Sequence, residues 1–211
     1  MNIQLQILPL LSVLVLFLVA PVVIILAVSF WDYTEFSLIP DFVLTNYIEI
    51  FESGVTYSTY LNTFKFAFLG WLFTVIIGFT LAYFLAFHVR TLRWQIILFL
   101  ICTIPFWTSN IIRMIAWIPV LGRNGLMNSL LLELGVISEP LEWLLYSDFA
   151  VILAFVHLYT LFMLVPIFNS MMRIDKSIIE AAQDMGANSL QILINVIIPL
   201  CLPGIAIGTI F

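Results

Sequence analysis

Long apolar runs separated by short polar connections dominate the chain. Met1–Trp31 carries no charged side chain, Phe66–Val89 and Phe149–Met172 are charge-free over 24 residues each, and Trp94–Ile112 over 19. About 20 apolar residues of helix cross a hydrocarbon core, so each run predicts a membrane span. The third run continues past Arg113 to about Val120. Met185–Phe211 is also uncharged, but its first part is polar and helix-breaking, which places the membrane segment near Ile197. Spans are therefore predicted over about 7–30, 64–87, 95–118, 149–172 and 197–211, with a polar segment, 173–196, before the last. The expected fold is an all-α polytopic transmembrane bundle in one domain, residues 1–211, with four full spans and the start of a fifth. A helix cut inside the membrane cannot satisfy its last carbonyls in lipid, so the chain is expected to be incomplete at its C-terminus.

Composition agrees with the pattern. Of 211 residues, 64% are hydrophobic and 9% charged, with a mean hydropathy of +1.19. Soluble domains run at about 25% charged residues, so a water-soluble globular protein is excluded. The net charge of −5 argues against nucleic acid as a partner. Cys102 and Cys201 both lie in apolar runs and act as small hydrophobes. Basic residues set the orientation. The connections 88–93 and 173–184 hold Arg90, Arg93, Arg173 and Lys176, whereas 32–59 and 121–148 hold Arg123 against nine acids. The first pair is expected to face the cytoplasm, which puts the amino terminus inside. A cleaved signal peptide needs a basic n-region and a short apolar stretch; Met1–Gln6 has no base and the run is too long. An uncleaved first helix is expected.

Several chemistries are missing from the sequence. Lys65 and Lys176 follow Phe64 and Asp175, so there is no phosphate-binding loop. His88 and His157 sit in no zinc-binding spacing, and no Cys/His cluster is arranged to hold a metal. Neither a catalytic constellation nor a cofactor site is expected. Spans two and four contain no Asp or Glu, the groups that proton-coupled carriers place inside the membrane. Uphill transport would draw its energy from another subunit.

The stretch Arg173–Leu200 is the most informative. Ile174, Ile178, Ala181, Ala182 and Met185 recur at helical spacing, with Asp175, Lys176, Glu180, Gln183 and Asp184 on the other side. Ser177 with Glu180 fits a capping box, and Asp175 is an equally good N-cap. Gly186 follows where the helix should end. Asn188 or Ser189 is placed to cap a second helix reaching Ile198, with Pro199 at the return to the membrane. The result is a short helix beneath the bilayer whose Ala181-Ala182 patch lets another surface come close. An interfacial helix lying on lipid with no protein partner fits the same periodicity.

Glu180-Ala181-Ala182, then Gly186, then Val196-Ile197-Ile198-Pro199 resembles the EAA motif of ABC importer permeases, with its last part softened. Pro105-Phe106-Trp107-Thr108-Ser109 with Arg113 and Ala116-Trp117 is similar to the third span of spermidine/putrescine-type permeases. Asn124-Gly125-Leu126-Met127-Asn128 and Leu145-Tyr146-Ser147 resemble their second outer loop and its entry into span four. The departures are Leu161 in place of an expected proline, and the missing basic amino terminus and later helices. The resemblance implies a permease working by alternating access with a second permease subunit, a cytoplasmic ATP-binding subunit and an extracytoplasmic solute-binding protein. It also implies that Glu180, Ala181, Ala182 and Gly186 dock the ATPase, and that the small-molecule solute is a polyamine. A permease for another solute (ferric iron, sulfate or an amino-acid derivative) shares the architecture, and an ATP-independent channel or scaffold is the alternative from another class.

Within the membrane, Pro105, Trp107, Thr108 and Arg113 are the candidate pathway or gating residues. Pro105 removes a backbone donor and leaves the carbonyl of Ile101 without its helical partner. Such a break either exposes polar groups to a solute path or is an ordinary kink. Arg113 lies about 28 Å along a helix starting at Trp94, near the edge of a core roughly 30 Å thick. It either snorkels to the outer head groups or faces inward, paired, on the solute route. Lys65 is expected at the lipid interface, as are Trp31, Trp94, Trp117 and Trp143. His157 is expected to face a neighbouring helix. Gly78, Ala82 and Ala86, and Gly204 with Gly208, form small-residue stripes that favour close helix packing.

Overall fold

A computed structural model describes residues 3–210 of the chain. The chain is helical almost throughout, with one antiparallel two-stranded hairpin pairing Asp32 with Ile39 and Tyr33 with Leu38. Among the described residues four helices are long and apolar enough to cross a membrane: Ile7–Val28, Gly54–His88, Asp148–Met171 and Ser189–Ile210. A fifth apolar stretch is a bent pair, Leu92–Trp107 and Asn110–Glu133, meeting at 92°. The all-α class holds. Contacts divide the chain into two units, Met1–Asn62 and Thr63–Phe211.

In the first unit, the apolar stretch of Ile7–Val28 has no buried residue. A helix that is apolar all round has no solvent face to offer, and lipid suits it on every side. Its end is tied by a polar and aromatic knot. Asn46 Nδ2 donates to the carbonyls of Ser29 (3.2 Å), the residue that caps the helix, and Trp31 (2.8 Å) in the turn beyond it. Phe30 stacks on Phe42 with centroids 4.9 Å apart, and the Ser29 and Tyr47 hydroxyls are 2.6 Å apart.

The second unit is organised around Asp148–Met171. Its buried Met163, Leu164, Ile167 and Met171 recur at helical spacing, and small residues on two other helices let their backbones approach it. On Gly54–His88 the buried stripe is Gly70, Thr74, Gly78 and Ala82. A Cβ on Gly78 would lie 3.2 Å from the amide nitrogen of Leu164. On Ser189–Ile210, a Cβ on Gly204 would meet Ser170 Oγ and sit 2.6 Å from the carbonyl oxygen of Pro166. One on Gly208 would lie 2.7 Å from Met163 Sδ. Van der Waals contact at this range is what holds helices together when lipid is as apolar as leucine.

Three segments differ from the sequence-based expectation. The second long helix starts at Gly54 rather than residue 64, because nothing between Val55 and Thr63 breaks a helix. The last starts at Ser189 rather than 197 and runs through Pro199. A π turn, Leu193–Ile197, lies just ahead of that proline; it has already shifted the carbonyl register, so the missing donor falls where the ladder is irregular. The third expected span is the bent pair. Ile104 N–H bonds to the Ile101 carbonyl as the chain tightens into a 3₁₀ turn, Ile104–Trp107, so that carbonyl keeps a partner. Thr108 (ψ 150°) and Ser109 (ψ 139°) are extended, and the chain turns there.

Candidate functional site

The amphipathic helix spans Lys176–Asp184. Asp175 is its N-cap, accepting the Ser177 amide at 3.0 Å, in preference to a box built on Ser177 and Glu180. That bond favours the ionised carboxylate, and it holds the Asp175 pKa below the ordinary value of 3.8. At the other end Ala187 N–H bonds to the Ala182 carbonyl (3.0 Å) and Gly186 N–H to that of Gln183 (2.8 Å). This is the Schellman arrangement, which needs a left-handed residue after the cap. Gly186 takes it, with φ of +83° and nothing within 4 Å of a would-be Cβ. The glycine is there for its torsion angle.

Asn188 then opens the next helix with a complete capping box. Its side chain accepts from Gln191 N–H at 2.9 Å, and the Gln191 side chain accepts from Asn188 N–H at 2.8 Å. Two caps therefore bracket one left-handed residue, and the connection is fully bonded. Ala182 is buried in the core cluster with Ile192 and Ile197, and Ile174, Ile179 and Ala187 pack against it. Ala181 is exposed one position away. Glu180, also exposed, lines a cleft of about 370 Å³ with Tyr83, Phe87, His88 and Gln183. The four motif residues thus divide: Ala182 and Gly186 fix the element, and Glu180 and Ala181 present it.

The residues around the break also divide. Pro105, Phe106 and Arg113 line a cavity of about 330 Å³ against Asp148–Met171, with Trp117 and His157. Trp107 is 84% exposed and lines a separate apolar cavity of about 490 Å³ with Leu100, Thr103, Phe162 and Pro166. Thr108 lines neither cavity; its hydroxyl donates to the Pro105 carbonyl at 2.8 Å. Arg113 is only 8% exposed. Because the helix turns at Thr108, distance along it from Trp94 does not measure depth, and the side chain lies inside the protein. Trp117 is not a free anchor: its Nε1 donates to His157 Nδ1 at 3.1 Å, ring edge to face. Lys65 pairs with Asp148 at the start of the central helix.

Two positioning residues were not assigned a role from the sequence: Gln95, and Asn128, which enters there only within the Asn124–Asn128 stretch of the resemblance. Gln95 is buried, and its amide donates to the carbonyls of Ala86 (3.3 Å) and Val89 (3.1 Å), closing the turn between two long helices. Asn128 is fully buried. It donates to the carbonyls of Gly122 and Leu141, both at 3.1 Å, and accepts from Leu141 N–H at 2.8 Å, stapling the loop after the bend. A lone amide in an apolar run was the available clue. Among the described residues no group of three or more His, Cys, Asp or Glu is arranged to hold a metal.

No protein-family model matches the chain. It is 35% identical over 196 residues to the spermidine/putrescine transport system permease protein PotB of Escherichia coli strain K12, covering 92% of this chain and 70% of that one. The protein of the same description from Haemophilus influenzae is 31% identical over 199 residues, covering 93% and 68%. The inner membrane ABC transporter permease protein YdcU of Escherichia coli is 28% identical over 195 residues, covering 87% and 61%. Among solved structures, a chain from a bacterial alginate ABC transporter in complex with an alginate pentasaccharide-bound periplasmic protein superposes with a TM-score of 0.77. It is 21% identical, and the match covers 96% of this chain and 68% of that one. At that identity the likeness carries the helical architecture alone.

Proposed function

Since the chain belongs to the family of spermidine/putrescine transport system permease proteins, we propose that it forms one half of the solute pathway of an ATP-driven polyamine importer in the inner membrane. The amino terminus and Lys176–Asp184 lie on the cytoplasmic side, where a separate ATP-binding subunit docks on Glu180 and Ala181. A second permease subunit completes the pathway, and an extracytoplasmic binding protein delivers the solute. This chain makes and breaks no bond.

The observation that carries this reading is the pairing of family membership with a rigid amphipathic rod. Lys176–Asp184 is capped at both ends and rooted by Ala182 in the same core as the central helix. A push on its exposed face therefore has no soft joint in which to dissipate. It moves the ends of Gly54–His88 and Asp148–Met171 together, which alternating access requires. Pro105, Trp107, Thr108 and Arg113 sit at the bend, where a rocking motion changes the geometry most.

The test is uptake of labelled spermidine by cells carrying the complete transporter. Saturable, ATP-dependent uptake is expected. Glu180→Lys and Gly186→Pro should reduce it about tenfold or more, while the chain still inserts and pairs with its permease partner. Unchanged uptake with both variants would remove the lever. A permease for a different small solute is favoured by one observation: the cavities at the bend are lined by no Asp or Glu. Uptake of no polyamine by an assembled, ATP-hydrolysing complex would decide for that reading.

A further inference from the structure

We propose that the cavity between the broken helix and Asp148–Met171 is a receptor for a carboxylate carried on an apolar stem, bound by Arg113 and His157. Three observations converge. First, Arg113 is more than nine-tenths buried, yet its guanidinium is only partly used. One terminal nitrogen donates to Asn110 Oδ1, while the buried Nε has no acceptor. A buried charge that keeps an unpaired donor and has no counter-ion is costly until an anion completes it. Second, the cavity is mostly apolar, and two of its polar side chains, Arg113 and His157, keep a donor to offer. Trp117 Nε1 is a donor only, so its bond to His157 Nδ1 leaves the ring proton of neutral His157 on Nε2.

Both side chains line the same space of about 330 Å³, to which no Asp or Glu contributes. Thr160 also lines it; its hydroxyl proton goes to the Val156 carbonyl at 2.5 Å, so it offers a neutral acceptor and no charge to balance Arg113. Third, the remaining walls are largely hydrocarbon: Ile77, Leu81, Leu153, Val156 and Leu164. A planar carboxylate matches the fork of an arginine, and an aliphatic stem matches such walls. A dicationic solute is repelled from this space, so it is not the seat of a polyamine. The carboxylate comes from an Asp or Glu side chain of another subunit, or from a small organic acid.

Thermal unfolding of the assembled, detergent-solubilised transporter, titrated with sodium propionate against sodium chloride, tests this. If the site takes a free acid, the midpoint rises saturably with propionate and not with chloride. Arg113→Gln should then weaken the half-saturating concentration about tenfold or more, the loss expected for one charged hydrogen bond. Asn110→Ala, which keeps the cation and removes its internal acceptor, should tighten it; a merely structural arginine predicts no such gain. If another subunit supplies the carboxylate, propionate has no effect on the complex. Arg113→Gln then accelerates subunit dissociation about tenfold, and Arg113→Lys largely restores it. A complex indifferent to propionate whose dissociation is also indifferent to Arg113→Gln overturns the proposal.

Discussion

At the scale of single residues, backbone clearance separates positions that look alike in the sequence. Gly204 has the Pro166 carbonyl oxygen 2.6 Å from where a Cβ would stand, whereas Gly54 has nothing within 4 Å. Gly204→Ala should therefore destabilise the purified chain by about 1–3 kcal/mol, because one helix must move off another. Gly54→Ala should be close to neutral, and thermal unfolding of the two variants side by side checks the contrast. Asn128 offers a second case. Asn128→Ala strands Leu141 N–H and two carbonyls inside the protein, a cost of roughly 1–3 kcal/mol. It should appear as faster amide exchange at Leu141. Gly78, Gly204 and Gly208 were legible from their spacing, but Gly70 and Thr74 on the same buried stripe were not, since spacing does not say where a contact face begins. The stapling roles of Gln95 and Asn128 were illegible for another reason. What an amide staples is decided by which carbonyls the fold brings to it.

For whole elements, local chemistry announced the ends better than the path between them. The left-handed turn at Gly186 and the start of the next helix were readable because caps are set by neighbours in sequence. The choice of Asp175 over Ser177 as N-cap was open on sequence and was settled by backbone geometry. It makes the helix sensitive to acid in a predictable direction. A carboxylate held below its ordinary value stabilises the fold above that value, and the contribution fades as pH falls through the folded pKa. Amide exchange at Ser177 should thus accelerate as pH drops below about 3.8, after correction for intrinsic rates. Asp175→Asn should remove this dependence. The bend after Pro105 was only half legible. A proline marks where a helix is weak, but the 92° turn is made three residues later by the extended Thr108 and Ser109. Thr108 and Ser109 have no side-chain signal that fixes such torsions.

At the scale of the molecule there are two units, one holding an apolar helix with no buried residue in its own surroundings and one whose core runs along a central helix. The apolar runs disclosed both, yet hydropathy alone does not distinguish them, because lipid and a protein interior prefer the same side chains. The distinction lies in periodicity. Met163, Leu164, Ile167 and Met171 are buried while Val151 and Asn169, on the opposite side of the helix, are exposed, so Asp148–Met171 has one protein-facing stripe and one outward stripe. Across Ile7–Val28, Leu10, Phe17 and Ile25 are 71%, 73% and 67% exposed, with no protected face. Nitroxide labels stepped along each helix of the chain in bilayers should report this as oxygen accessibility. The expected result is a 3.6-residue oscillation along the central helix, and a flat profile there would contradict its two-sided burial. In the assembled transporter, a new oscillation on Ile7–Val28 would show which face a second subunit covers. A flat profile there would leave the helix as a lipid anchor, since an all-round apolar surface needs only hydrocarbon around it.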